Sequence, residues 1–249
     1  MKTLYKFLFV ALSGAVSLSC SDDWLTPKPL SIYTPENVYV NKEGMEAALL
    51  TLRRNLRLET HENKSMLCTE IFSSDLAVCG GEQAIDVHNF NIQVHPTATG
   101  DVGIMFNYWN RGYDQIRHAN VIISRIDAPQ WNSEKDKNEI LAEAYFFRAN
   151  TYYRLVHQFG DVPFISKEHT KPKIDFSTHS RRTILNKIQS DLEFAVQWLP
   201  ETVAPGKVNK AAGYHLLTKV YLANLEFEKA VQSASAVINS GRYALMTQR

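Results

Sequence analysis

Over most of the chain apolar residues recur at steps of three and four, the spacing that places them on one face of an α-helix. Met45, Ala48, Leu49, Leu52 and Leu56 give the first such stripe and predict a helix over 41–57. Met66, Ile71, Phe72 and Leu76 predict a second over 65–78, which Gly80 and Gly81 break. Periodicity then lapses. Residues 79–103 hold Gly80, Gly81, Pro96, Gly100 and Gly103 and read as a long loop, with a strand over 87–94 as an alternative inside it. An irregular stretch of that length in a compact domain is often a functional one.

Helical spacing resumes over 104–126, where Met105, Trp109, Ile116, Ala119 and Ile123 share a side. After a turn at 128–132, Ser133 is placed to cap a helix, with Asp136 three residues on. Ile140, Ala144, Phe147, Thr151 and Leu155 carry that helix to Phe159, and Gly160 ends it. Pro163 disfavours helix before it, so 161–165 reads as an extended exit. A polar loop follows over 166–180. Ile184, Ile188, Leu192 and Ala195 then mark a helix to Leu199, and 200–207 is a further loop. Asn209 caps the next helix, over 210–223, and a last one spans 227–239 before Gly241. Tyr214, Leu217, Thr218 and Tyr221 on this final pair, with Ala230, Ala234 and Val237, match the tetratricopeptide offsets loosely; Thr218 stands where that repeat has Gly or Ala. No strict 34-residue period recurs elsewhere. The fold expected is all-α: a tetratricopeptide-like array of helix pairs with long loops.

The amino terminus follows a different pattern. Lys2 and Lys6 precede an apolar run, 7–16, that is too short to span a bilayer, and Ser17-Leu18-Ser19 lead into Cys20. This resembles the lipobox of bacterial lipoproteins, although Ser17 stands where the box has an aliphatic residue. The reading is a signal peptide over 1–19 and lipidation at Cys20; an ordinary cleaved signal followed by a chance cysteine is the alternative. Several acyl chains, at about 0.8 kcal/mol per buried CH₂, would hold the mature protein on a membrane. Asp22 and Asp23 resemble the surface-export signal of Bacteroidetes lipoproteins. Pro27, Pro29 and Pro35 suit an extended tether over 20–40, leaving 41–249 as the helical domain.

Composition narrows the function classes. A net charge of +1 and scattered basic residues give no footprint for nucleic acid. Three cysteines build no disulfide framework; Cys68 and Cys79 are open to pairing or to remaining free thiols. The chain has no Gly-rich phosphate loop, CxxC, HExxH or G-x-S-x-G, so it is expected not to be an enzyme and to need no cofactor or metal. His88, His95 and Asp86 lack a ligand spacing, and Asp136, Glu139 and Glu143 read as the solvated face of a helix.

Longer motifs carry a family resemblance. Ala142-Glu143-Ala144-Tyr145-Phe146-Phe147-Arg148-Ala149, with Tyr152-Tyr153-Arg154-Leu155-Val156 and Phe159-Gly160-Asp161-Val162-Pro163-Phe164, is similar to the signature of the SusD/RagB family. Trp109, Tyr113, Ile116, Ala119 and Asn120 resemble its preceding helix. Ile188, Asp191, Leu192, Leu199 and Pro200, then Lys210-Ala211-Ala212 through Tyr221-Leu222, and Ser240-Gly241-Arg242-Tyr243, resemble its later segments. The resemblance implies a lipid-anchored protein of the outer membrane facing outward. It would capture glycans or peptides for a SusC-like TonB-dependent transporter. Members are longer, with an irregular second half, so this chain is expected to be a fragment or a truncated product. The alternative is a lipid-anchored scaffold making only protein–protein contacts.

Sugar recognition needs aromatic faces ringed by polar groups. By location in the 79–103 loop, Phe90, Asn91 and His95 are the ligand candidates. Trp109 is expected in the core and Trp198 as a helix-end anchor, while Trp131 fits either a ligand contact or partial packing.

Overall fold

In a computed structural model, residues 35–61 and 104–246 are described. The predicted signal and Cys20, the helix over 65–78, Cys68, Cys79 and the 87–94 strand alternative lie outside them. Val38–Arg249 groups as one compact unit, separate from Met1–Asn37. Six long helices are described within it: α1 (Lys42–His61), α2 (Ile104–Arg125), α3 (Glu134–Phe159), α4 (Arg181–Trp198), α5 (Lys210–Ala223) and α6 (Phe227–Ile238). A two-strand pair, β1 (Val162–Pro163) and β2 (Thr178–His179), lies between α3 and α4.

Each helix from α2 to α6 packs on its sequence neighbour, and α1 packs on both α2 and α3. Cross-helix contacts give the directions. Tyr108 meets Phe159, and Asn120 bonds Arg148, so α2 and α3 run antiparallel. Tyr145 stacks edge-on to Phe194, and Arg148 pairs with Asp191, so α4 reverses again. Tyr221 donates to Glu193, and Ser233 donates to the Tyr214 carbonyl, which continues the alternation through α5 and α6. This is the all-α array the periodicity predicts.

The local signals act as read. Ser133 Oγ accepts from the Asp136 amide, Asn209 from the Ala212 amide, and Ser180 caps α4 through the Thr183 amide. Gly160 ends α3 at φ +74°, a left-handed value that an L side chain resists. The extended exit at 161–165 and the polar loop over 166–180 meet in one short ladder, Val162 pairing with His179 and Pro163 with Thr178. Strands of two residues are too short for a period of two to show.

α3 is the centre of the core. Ala142, Ala144, Phe147, Ala149, Tyr152, Leu155 and Val156 are all buried, because α1, α2 and α4 cover different faces of the helix. Small residues permit the close approaches. A Cβ at Gly112 of α2 would sit 3.1 Å from Leu155 Cδ2, and one at Gly213 of α5 would sit 2.9 Å from Leu199 Cδ1.

One polar expectation is corrected. Glu143 is 6% exposed rather than solvated, and both its oxygens accept from Arg53 at 2.7 Å. Lys42 likewise reaches Asp136 at 2.7 Å. α1 lies along this face of α3 and brings its cations with it. A row of carboxylates looks the same in sequence whether water or arginine answers it.

Arg148 organises the middle of the array. Its Nε and Nη2 donate to Asp191 at 2.8 Å each, and its Nη1 to Asn120 Oδ1 and the Ser166 carbonyl at 2.9 Å. Tyr113 Oη donates to the Pro163 carbonyl at 2.8 Å, and Asn120 Nδ2 to the Ile165 carbonyl at 2.8 Å. The Ile165 amide donates to Tyr152 Oη at 2.6 Å. Burial holds both phenols above their ordinary pKa, so they remain neutral donors. The exit from α3 is thus held by side chains of α2 and α3.

Candidate functional site

α1 and α2 run antiparallel: Gln115 Nε2 donates to the Leu52 carbonyl at 2.9 Å, and Arg111 Nη1 to the Leu58 carbonyl at 3.4 Å. His61 ends α1 and Ile104 begins α2 at this end of the pair. Here lies a cavity of about 320 Å³. Its described lining is Asn55, Leu58 and Glu59 from α1, and Asn110, Arg111 and Asp114 from α2. That volume is at the lower end of the range for small-molecule sites.

Counter-cations hold both carboxylates in place. Glu59 is 3% exposed, and its Oε2 accepts from Arg154 Nη1 of α3 at 2.9 Å. Arg154 in turn lies over the Tyr108 ring. Asp114 Oδ1 accepts from Arg117 at 2.6 Å, and its Oδ2 is 3.4 Å from His118 Nε2. Burial, reinforced by Arg117, holds the His118 pKa below its ordinary value, so that ring stays neutral at pH 7. Next to the cavity residues in sequence, Tyr108, Trp109 and Tyr113 build an aromatic cluster on Phe159, with Trp109 and Tyr113 centroids 4.8 Å apart and Trp109 and Phe159 5.2 Å apart.

Amides both donate and accept, carboxylates accept, and the guanidinium donates, which suits a ligand rich in hydroxyl groups. Among the described residues there is no group of three or more His, Cys, Asp or Glu arranged to hold a metal.

Phe90, Asn91 and His95 lie outside the described residues. Trp109 is half-buried and packs with the core. Trp131 also packs against the core and donates its Nε1 to the Ile126 carbonyl at 2.7 Å, which favours packing over ligand contact. Trp198 packs at the end of α4 beside Phe194. Asn55, Glu59, Asn110, Arg111 and Asp114 were missed by the sequence reading. Their signal was a pair of polar i, i+4 sets, 55/59 and 110/114, on the two helix ends that flank the long loop.

The profile of one family, SusD-like and described as "Starch-binding associating with outer membrane", matches residues 44–222. This chain belongs to the SusD-like family. It is 32% identical over 247 residues to "SusD-like protein P2" of Formosa agariphila, covering 95% of this chain and 46% of that relative. It is 24% identical to a "SusD-like protein" of Bacteroides ovatus, covering 97% and 45%. The chain therefore spans about half the length of the curated relatives it matches. Among solved structures, a "Laminarin binding SusD-like protein" superposes with a TM-score of 0.72 at 24% identity, covering 84% of this chain and 46% of that one. A SusD superfamily protein from Bacteroides thetaiotaomicron gives 0.68 at 22% identity, covering 83% and 48%. These likenesses establish a SusD-like fold. The family is described as starch-binding and as associating with the outer membrane.

Proposed function

We propose that this SusD-like chain acts in a surface lipoprotein that captures glycans, or peptides, for uptake through a SusC-like TonB-dependent outer-membrane transporter. The observation that carries this reading is the family match over 44–222. The polar cavity between α1 and α2 supports it by supplying a place for a hydroxyl-rich ligand. The laminarin-binding neighbour indicates that a protein of this fold takes a glucan. In this reading Cys20 carries the lipid anchor, 20–40 is the tether, and 41–249 is the binding domain. Phe90, Asn91 and His95 belong to the stretch of chain that joins α1 to α2. They are proposed to supply the aromatic and polar contacts that the helices do not.

Two measurements test the proposal. Calorimetric titration of the chain with starch- and laminarin-derived oligosaccharides is expected to give saturable binding. Labelled palmitate is expected to enter the protein in its native host and to be lost in Cys20→Ala. A chain that binds no glycan or peptide and takes up no lipid would overturn the reading. The second reading, a scaffold for protein contacts alone, is favoured by one observation. The outer face of α6 exposes Phe227, Val231 and Ile238 by 54%, 65% and 71%. Co-purification with a β-barrel partner in the absence of any small-ligand binding would select it.

A further inference from the structure

We infer that the segment between β1 and β2 is a second membrane contact, a cationic loop that sets Ile174 into a surface of anionic lipid; the inference deepens the surface-lipoprotein reading and rests on it for location. Both legs of the loop are fixed. Val162 and Pro163 pair with His179 and Thr178. Arg148 donates to the Ser166 carbonyl, the Glu168 amide donates to Ser124 Oγ at 3.0 Å, and the Arg181 amide donates to Asp161 Oδ1 at 2.8 Å. Beyond that base every residue from 169 to 183 is exposed. The tip keeps a shape of its own. Lys173 Nζ donates to Asp175 Oδ1 at 2.7 Å and lies 5.3 Å from the centroid of the Phe176 ring, which the His169 ring meets edge-on at 5.9 Å. Lys173 and Asp175 turn onto each other, and Ile174 between them is left 98% exposed.

One exposed isoleucine says little by itself. The charges around it say what covers it. Between 161 and 182 stand five Lys or Arg against three Asp or Glu, and two of those carboxylates are already answered, Glu168 by Arg125 at 2.7 Å and Asp175 by Lys173 at 2.7 Å. Lys167, Lys171 and Arg182 are exposed and have no carboxylate partner among the described residues. They are therefore free to meet an external anion. A loop this small cannot bury the roughly 800 Å² per partner that a specific protein interface takes. A lipid surface sets no such threshold, because one apolar side chain can enter the acyl boundary while the cations beside it meet the headgroups. A single acyl chain binds a membrane only reversibly, and a basic patch is one of the signals that complete such an anchor. Lipidation at Cys20 would raise the local concentration of bilayer around the loop, so a weak contact is enough.

The test compares the full chain with its own variants on lipid vesicles, since the apolar run 7–16 is common to all of them. Ile174→Trp is mixed with phosphatidylglycerol vesicles whose acyl chains are brominated, and its added tryptophan emission is read against the parent. Quenching of that added emission is expected, with much less on brominated phosphatidylcholine. In cosedimentation, Ile174→Asp and the pair Lys167→Glu with Lys171→Glu are each expected to weaken binding to phosphatidylglycerol vesicles at least about tenfold. The melting temperature should be retained, because all three sites are exposed. The loss in the charge pair should shrink at about 0.5 M salt, where surface electrostatics are screened. Added emission that brominated lipid leaves untouched overturns the inference, as does vesicle binding that neither variant weakens; a protein would then be the loop's occupant. Equal quenching on neutral and anionic vesicles also overturns it, since the cations then play no part. Palmitate labelling at Cys20 is read separately. Its absence would overturn the anchor and leave the loop contact standing, whereas labelling beside an unquenched tip would overturn the loop contact alone.

Discussion

Replacing Arg148 by Met tests the reasoning about the core most directly. The Arg148 and Asp191 side chains are 6% and 11% exposed, and two 2.8 Å bonds join them. Burial pushes the Asp191 carboxyl up, and Arg148 is what opposes that push. Methionine keeps much of the aliphatic stem but strands the carboxylate and strips a donor from Asn120 and from the Ser166 carbonyl. Removing one partner of a buried pair costs about 3–5 kcal/mol. In a chain of this size each kcal/mol moves the melting temperature by about 2–4 °C, so a fall of about 10 °C is expected. The assay is thermal and urea unfolding followed by far-ultraviolet circular dichroism at pH 7, repeated at pH 5. In the variant Asp191 keeps a raised pKa when folded, so the folded state binds more protons than the unfolded one. Its stability therefore falls as pH rises from the ordinary carboxylate range through the raised value, and the deficit against the parent is smaller at pH 5 than at pH 7. Arg148→Met combined with Asp191→Leu removes the stranded charge and is expected to be more stable than Arg148→Met alone. A single variant that loses less than about 1 kcal/mol would refute the argument, since a buried unpaired carboxylate cannot cost so little. So would a double variant no better than the single one.

Three further outcomes are expected. Gly112→Val forces methyl groups into Leu155, whose side chain already lies 3.1–3.3 Å from a Cβ placed there, and should destabilise by about 1–3 kcal/mol in urea titration. Ser133→Ala removes the cap on the Asp136 amide and should lower stability by about 1 kcal/mol, read as a melting-temperature drop of a few degrees. Changing Phe227, Val231 and Ile238 together to Lys should reduce binding of an apolar dye while leaving the melting temperature nearly unchanged, because these side chains are exposed. A large loss of stability in that triple variant would mean that the outer face of α6 is covered.

What was legible in the sequence follows from what each signal measures. Helix existence and ends came through well: α5 was expected over 210–223 and is found there, and Ser133, Gly160 and Asn209 act at the positions read for them. Stripe periodicity and cap chemistry are local, and helices obey local rules. The partners of polar residues were not legible. Glu143 meets Arg53 ninety residues away and Glu59 meets Arg154 ninety-five away, and no spacing within one helix announces such a partner. The cavity escaped for the same reason. Asn55 and Asn110 are polar residues on helices, and each in isolation resembles a solvated face. Only the antiparallel meeting of α1 and α2 turns them toward a common space.

That meeting also ties the scaffold residues of the family signature to the proposed site. Tyr113 and Asn120 on α2, with Tyr152 and Arg148 on α3, all grip the short main-chain stretch 163–166. The grip fixes the axial position of α2 against α3 without contributing any group to the cavity. Yet Asp114 adjoins Tyr113 in sequence, Asn110 and Arg111 lie one turn before it, and Arg154, which holds Glu59, lies less than two turns beyond Arg148 on α3. A helix is stiff along its axis, so wherever 163–166 pins α2 and α3, the cavity walls follow. The Phe-Arg-Ala and Phe-Gly-Asp-Val-Pro segments are in this sense positioning elements. Their loss is expected to disturb the geometry of the proposed site, although they contribute no group to it.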